Sequence, residues 1–309
     1  MTKWIAGLVI GAMVAGCTIA GEDAAKKDGE KAGAKDPKAA EAKPAVGGTK
    51  AGDIIFGSNR SGQFRIWSIN ADGSDLKQVS QGAKDDEMDV DPNYSMDGTK
   101  ITFTSTRGGK PNVWRMNADG SGAEMICEGR ESEWSPDARK VTFIRNDKVW
   151  VRDLESGKEK QVVPDSFKIC SGPAFSPDGK LVTFGCRWEG ANAVYTVPAD
   201  GGAEPTKVYD KKPACQPHFS PDGKLIAYET ETNICTIQPD GQKNKLVTYW
   251  GGVQRFANWS PDGKTLVYCQ GASEKGPWEL YLVPSISGNP TKLTSDGSDV
   301  NPCWSPVKK

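Results

Sequence analysis

The stretch Phe175–Lys180 reads FSPDGK, returns letter for letter at Phe219–Lys224, and has a near copy, WSPDGK, at Trp259–Lys264. A serine and an aspartate at fixed spacing are the raw material of an activated nucleophile, but such a serine also needs a base to take its proton. The chain has one histidine, His218, within PHFSPDG, and no G-x-S-x-G turn to project a serine from a strand end. Turn chemistry accounts for the motif without catalysis. Proline presets φ at the second position of a β-turn, aspartate accepts from backbone N–H groups, and glycine ends the turn without a Cβ clash. No catalytic residue is assigned.

Metal chemistry has equally little to work with. There is no C-x-x-C or H-x₃-H pair, so neither a metal site nor a cofactor is expected. The run DDEMDVD gathers Asp85, Asp86, Glu87, Asp89 and Asp91 but lacks the D-x-D-x-D-G spacing of a calcium loop, and reads as a solvated acidic loop. Eight cysteines remain. A hairpin centred on Asp178 would set Cys170 opposite Cys186, which makes this pair the candidate disulfide in an exported chain. Cys235 reads as core, and Cys215 and Cys269 should face Glu229 and Arg255.

The N-terminus points to export. Lys3 precedes an apolar run from Trp4 to Ala15, too short to cross ~30 Å of hydrocarbon as a helix. The run ends in Val14-Ala15-Gly16-Cys17, which resembles a bacterial lipobox. That resemblance implies cleavage before Cys17, acylation of Cys17 and, with Thr18 next, sorting to the outer membrane. Residues 1–16 are thus expected to be a lipoprotein signal peptide. Between Gly21 and Gly52 there are seven Lys, six Asp or Glu and no aromatic residue, a composition that cannot offset its own ordering entropy. Residues 17–52 should therefore act as a disordered tether of roughly 30 Å reach. The net charge of −1 and a pI near 6.0 leave no electrostatic footprint for nucleic acid.

The rest of the 309 residues is a repeat. An aromatic-Ser pair occurs at Tyr94-Ser95, Trp134-Ser135, Phe175-Ser176, Phe219-Ser220, Trp259-Ser260 and Trp304-Ser305, so the serines lie 40, 41, 44, 40 and 45 residues apart. Interleaved with it runs a second signature, clearest in WSINADGS (Trp67–Ser74) and WRMNADGS (Trp114–Ser121). Between the two, segments such as Lys100–Thr104 and Lys224–Tyr228 alternate with the period of a half-buried strand. Each unit predicts four strands: a ends at the aromatic-Ser pair, b follows SPDGK, c carries the Trp or Tyr, and d follows the DG turn. Four short strands every 40 to 45 residues make a propeller blade. The first unit starts at strand b, near Asp53, and the chain ends on an orphan strand a at Val300–Trp304. The last strand should complete the first blade, closing six blades over residues 53–309.

On these motifs the chain resembles the TolB-type β-propellers, whose repeat carries P-x-W-S-P-D-G-K, then I-x-F-x-S-x-R, then I-W/Y-x-M-N-A-D-G. The resemblance covers Asp53 to Pro306. TolB itself carries an α/β domain before its propeller, where this chain reads as signal and tether, so functions tied to that domain are not expected here. In propellers the b–c and d–a loops share one face. They vary most in this chain, and variable loops on a repeated scaffold are where binding resides. The candidate binding rim comprises Arg60, Arg107, Arg145, Arg187, Trp188, Trp250, Arg255 and Trp278. The first four recur at the exit of strand b, where a bridge to an aspartate is the first expectation and ligand contact the second. The three tryptophans stand outside the repeat register, and Trp188 and Trp250 have arginines nearby, residue types favoured in interface hot spots. The expected function is a lipid-anchored periplasmic module binding a protein or peptide of the cell envelope, with membrane contact through the anchor only. The alternative is a polysaccharide lyase or a carbohydrate-binding propeller. Lyases of similar repeat use a metal with histidine ligands, which a lone His218 does not supply.

Overall fold

The computed structural model describes residues 54–188, 191–286 and 288–306. The expected signal peptide and tether, including Cys17, lie outside the described residues. Among the described residues, twenty-four strands form six four-stranded antiparallel sheets. Blade 1 contains β1 (Ile54–Ser58), β2 (Arg65–Ile69), β3 (Lys77–Gln78) and, from the other end of the chain, β24 (Asp299–Trp304). Blade 2 is β4 (Asp89–Tyr94), β5 (Lys100–Ser105), β6 (Asn112–Asn117) and β7 (Glu124–Glu128). Blade 3 is β8 (Arg130–Trp134), β9 (Lys140–Arg145), β10 (Lys148–Asp153) and β11 (Glu159–Gln161). Blade 4 is β12 (Lys168–Phe175), β13 (Leu181–Trp188), β14 (Ala191–Pro198) and β15 (Thr206–Tyr209). Blade 5 is β16 (Cys215–Phe219), β17 (Ile226–Glu229), β18 (Ile234–Ile237) and β19 (Lys245–Leu246). Blade 6 is β20 (Val253–Trp259), β21 (Thr265–Gly271), β22 (Trp278–Pro284) and β23 (Thr291–Lys292). The ring closes as the sequence predicts: β24 pairs with β1, with Ile54 opposite Trp304 and Ser58 opposite Asp299.

The repeat motifs have defined jobs in this ring. In five turns the serine hydroxyl donates to the aspartate two residues on, at 2.6–2.7 Å, from Ser95 to Asp97 through Ser260 to Asp262. The same serine oxygen accepts the N–H of the residue opening strand b, for example Lys100 and Leu181. The hydrogen bond from the serine hydroxyl holds Asp97, Asp137, Asp178 and Asp222 below the usual carboxylate range. Each serine thus spends its hydrogen bonds on its own turn, fixing the angle between strands a and b.

Within a blade the middle strands place aromatics opposite one another: Phe56 with Trp67, Phe103 with Trp114, Phe143 with Trp150, Phe184 with Tyr195 and Tyr268 with Tyr281. Cross-strand aromatic pairs of this kind are the favoured unit of sheet stabilisation. Blades then pack face on face. Ile55, Ile66 and Cys303 of blade 1 share a cluster with Ile101, Phe103 and Met116 of blade 2. Full burial of each such side chain contributes about 1.5–3 kcal/mol. Cys235 takes the aromatic position opposite Tyr228 and is buried there.

Candidate functional site

The innermost strands surround an axial channel, and a cavity opens in it. Its lining comes from all six blades: Asp91 and Asn93, Glu131 and Glu133, Gly172, Gln216 and His218, Phe256 and Asn258, and Asn301, with Ser132 and prolines between them. Apart from Ser132 and the prolines, three places before the recurring turn serine of each repeat, these residues occupy matching positions in strand a, four and two places before it.

The backbone at the first of these positions has one conformation all the way round. Asp91, Glu131, Gly172, Gln216, Phe256 and Asn301 have φ of 52°, 52°, 53°, 48°, 56° and 51°. Five of the six are not glycine, and a left-handed conformation costs such residues roughly 1 kcal/mol or more apiece. Each lies where the pairing of strands a and b shifts register, for example between Val90 and Asn93 and between Arg255 and Asn258. The bulge turns successive side chains inward. At Gly172 the glycine answers crowding rather than φ, because a Cβ there would lie 2.8 Å from the Gln216 Cα.

Two tiers of polar groups result. In one, Glu131 is tied down: the Arg130 Nε donates to it at 3.0 Å and the Gly172 N–H at 2.7 Å. Arg130 also reaches Asp147. Asp91 is 4 % exposed, and neither of its carboxylate oxygens has a hydrogen-bond partner of good geometry. Burial, reinforced by the Glu131 carboxylate, pushes its pKa up to about 7, against the weaker pull of the Thr104 hydroxyl, the Arg130 charge and the Glu131 amide. The Ser132 hydroxyl and the Asn301 carbonyl oxygen are buried in the same cavity, also without partners. In the second tier Glu133 accepts from the Phe175 N–H at 3.1 Å and lies 3.2 Å from His218 Nδ1. Asn93 donates to the Ser132 carbonyl, and the Trp304 N–H donates to Asn258.

The rim residues divide into three groups. Arg60 and Arg107 exit strand b and turn back to Asp299 and Asp89, at 2.7 and 2.8 Å. Their guanidinium groups cover Phe56 and Trp67, and Phe103 and Trp114, at 5.1–5.7 Å. Arg145 makes the same stack over Phe143 and Trp150 but pairs with Glu159. In blade 4 the edge of Phe167 packs against Phe184 and Tyr195 where blades 1 to 3 use arginine. Arg187 is half-buried, and Trp188 ends β13 with its side chain outside the described residues. Arg255 and Trp278 are corrections to the sequence reading: they are 1 % and 2 % exposed and offer no contact surface. Arg255 is held by the carbonyls of Thr230, Glu231 and Gln254 and by Glu274, with Glu229 at 3.6 Å. Trp278 packs into the core shared by blades 6 and 1. Trp250 is half-buried and stacks on Tyr249, centroid to centroid 4.6 Å, and Tyr249 is 65 % exposed. Sequence reasoning missed Tyr249, although it directly precedes Trp250.

Cys170 and Cys186 are directly opposite in register, buried, with their sulfurs 2.8 Å apart. Cys215 faces Glu229 and Cys269 faces Arg255, as the repeat alignment requires.

Six four-stranded sheets around a polar channel, the last strand latched to the first, define a six-bladed β-propeller. The sequence motifs narrow this further, and the chain belongs to the TolB β-propeller domain family, which matches residues 44–148 and 131–309. A curated relative, an uncharacterized protein of Agrobacterium fabrum, is 29 % identical over 177 residues, or 56 % of this chain and 46 % of the relative. The chain thus spans about half the length of that relative. Among solved structures, TolB from Acinetobacter baumannii superposes with a TM-score of 0.71 at 19 % identity, over 82 % of this chain and 67 % of that one. A TolB-type protein from Agrobacterium tumefaciens gives 0.60 at 17 % identity, over 84 % of this chain and all of the other. An oligogalacturonate lyase in complex with manganese gives 0.52 at 18 % identity, over 78 % and 72 % of the two chains. At these identities the likenesses establish the fold alone.

Proposed function

We propose that this propeller is a protein- or peptide-binding module of the bacterial cell envelope, held in the periplasm at the outer membrane by lipid on Cys17. The observation that carries the reading is the axial cavity, which all six blades line and to which five of them, all but blade 4, bring polar side chains, while the turn serines are occupied in their own corners. The exposed Tyr249, backed by Trp250, adds an aromatic contact on the d–a loop between blades 5 and 6. Aromatic residues of this kind anchor interfaces, where they combine large contact area with few rotatable bonds. Family membership supports the binding role, and the lipobox-like VAGC supports the anchor.

The test is photocrosslinking in intact envelopes, with a photoreactive residue at position 249. A discrete crosslinked partner is expected, and it should be lost when Trp250→Ala is combined with Asn301→Ala. Arg255 is kept intact, because removing it would leave Glu229 buried beside no cation. Cys17→Ser should release the protein to the soluble fraction and remove lipid labelling. No discrete partner, under conditions that capture other envelope complexes, would overturn the binding reading. Unchanged lipid labelling would overturn the anchor.

A further inference from the structure

The axial cavity is chemically one-sided. Its lining contains three carboxyl groups, those of Asp91, Glu131 and Glu133, and no lysine or arginine. Two of the three are already engaged, Glu131 by Arg130 and the Gly172 N–H, and Glu133 by His218 and the Phe175 N–H. Asp91 is not. Neither of its oxygens has a hydrogen-bond partner of good geometry, and the same holds for the buried Ser132 hydroxyl, 1 % exposed, and the Asn301 carbonyl oxygen, whose residues line the same cavity. Buried polar atoms are nearly always hydrogen-bonded, and four orphans lining one cavity form a set that asks for a donor. All four can accept, and only the serine can also donate.

We propose that the channel seats the cationic head of an extended peptide, a single ammonium or guanidinium group, between Asp91, Ser132 and Asn301. The proposal rests on the peptide-binding reading and names the chemistry that the site recognises. An ammonium brings three donors and a guanidinium five, with no acceptor to clash with the lining. A carboxylate or phosphate would meet three carboxyl groups and no lysine or arginine. A bare divalent cation fits less well. Calcium takes six to eight oxygen ligands, magnesium a strict octahedron, and the described residues contain no group of three His, Cys, Asp or Glu able to hold a metal. The strained ring supports the same reading. Asp91 and Asn301 belong to a ring of six left-handed residues at matching positions, five of them not glycine and so held at a conformational cost, the kind of strain that concentrates at binding sites.

Protonation couples to this binding. Asp91 faces Glu131, Arg130 and the Thr104 hydroxyl, Arg130 in turn faces Asp147, and the Glu133–His218 pair lines the same cavity. With its pKa near 7, Asp91 is partly protonated in the empty channel, so a cation must draw off that proton and should bind more tightly as pH rises from 6 to 8.

The probes are short peptides added to the purified ¹⁵N-labelled protein and followed by amide chemical shifts and calorimetry. Acetyl-Gly-Lys-Gly-amide and acetyl-Gly-Arg-Gly-amide present side-chain cations, Gly-Gly-Gly-amide presents a free amino terminus, and acetyl-Gly-norleucine-Gly-amide is the neutral control. The cationic peptides should shift the amides of Glu131, Gly172 and Gln216, more strongly at pH 8 than at pH 6, and the arms tell side chain from terminus. Asp91→Asn keeps the side-chain shape and should weaken binding about tenfold or more, in line with the loss of a buried charge partner. Asp178→Asn, in a surface turn away from the channel, should change nothing. Equal binding of the norleucine peptide, unaltered affinity in Asp91→Asn, or silence from every cationic peptide would overturn the proposal. So would calcium chloride alone producing the channel shifts while no peptide does. A captured envelope partner with silent peptides would sink only this subsite, since the crosslinking experiment stands separately.

Discussion

Asp91 is the residue on which most of the site chemistry turns, and it leaves a signature in stability. Its carboxyl has a pKa near 7 in the folded chain against 3.8 ordinarily, because burial and Glu131 both disfavour the charge. A pKa raised on folding stabilises the fold fully below about pH 4, and that contribution is lost as pH climbs through 7. Glu229, buried and pushed up to about 7 in spite of Arg255, acts in the same direction. The turn aspartates, held low by their serines, act oppositely and lose their contribution only as pH falls through the acid range. Stability should therefore be greatest in mildly acid solution and decline towards pH 8. Asp91→Asn should flatten that decline and be more stable than the parent at pH 8, by an amount on the order of a few kcal/mol, and so melt higher there. Thermal melts of both proteins from pH 5 to 8 check this, and parallel pH profiles would refute it.

At the scale of strands, one device recurs with different chemistry. Six residues before the turn serine, strand a places a polar or sulfur group directly opposite strand b: Asp299 opposite Ser58, Asp89 opposite Ser105, Gln254 opposite Gln270 and, in blade 4, Cys170 opposite Cys186. The ionic lock with arginine in blades 1 and 2 corresponds to a sulfur pair in blade 4. Under oxidising conditions this pair should close: two thiols give up two protons and two electrons to a disulfide-exchanging oxidant, which leaves as a dithiol. The bond would span 16 residues of sequence and contribute about 3 kcal/mol. Mass spectrometry of the unreduced chain should find the peptides joined, and reductant should lower the urea midpoint of the parent but not of Cys170→Ser/Cys186→Ser. Free alkylation of both cysteines in the unreduced, unfolded chain would refute the bond. The register that sets Cys170 opposite Cys186 is legible because SPDG fixes the hairpin centre, and the six blades are legible because one corner motif recurs six times. The channel was harder to see. Its lining takes one or two residues from each strand a, some 40 apart, and Asp91 looked like part of an acidic loop. Arg255 and Trp278 misled for the reverse reason. Both neighbour loops in sequence, yet the left-handed bulge that turns Phe256 into the channel leaves Arg255 pointing into the protein, against Glu229 of the neighbouring blade.

The whole ring is held shut at a single seam. Every other blade is one continuous stretch of chain, so its inner strand is tied to the next by a short turn, but blade 1 joins residues 239 apart. Bringing distant ends together costs loop-closure entropy that the seam's own contacts must outweigh. Those contacts are the β1–β24 ladder and the Arg60–Asp299 pair, in which one guanidinium nitrogen donates to both carboxylate oxygens at 2.7 Å and Nε reaches Ser58. Arg107, Asp89 and Ser105 form a chemically matched set inside blade 2, where the chain already connects the strands. The pair of sites is therefore an internal control. Asp299→Ala and Asp89→Ala each strand a largely buried arginine, and each should cost about 3 kcal/mol or somewhat more by urea titration. Their kinetics should differ. Losing Asp299 frees a terminal strand, so amide exchange in β24 and β1 should rise by local opening well before the other blades respond. Losing Asp89 leaves strands tethered by the turn at Ser95–Gly98, so exchange in β4 should rise only with global unfolding. If hydrogen exchange finds the two variants opening alike, the seam is no weaker than any other strand pair, and ring closure by β24 is not what limits the stability of the propeller.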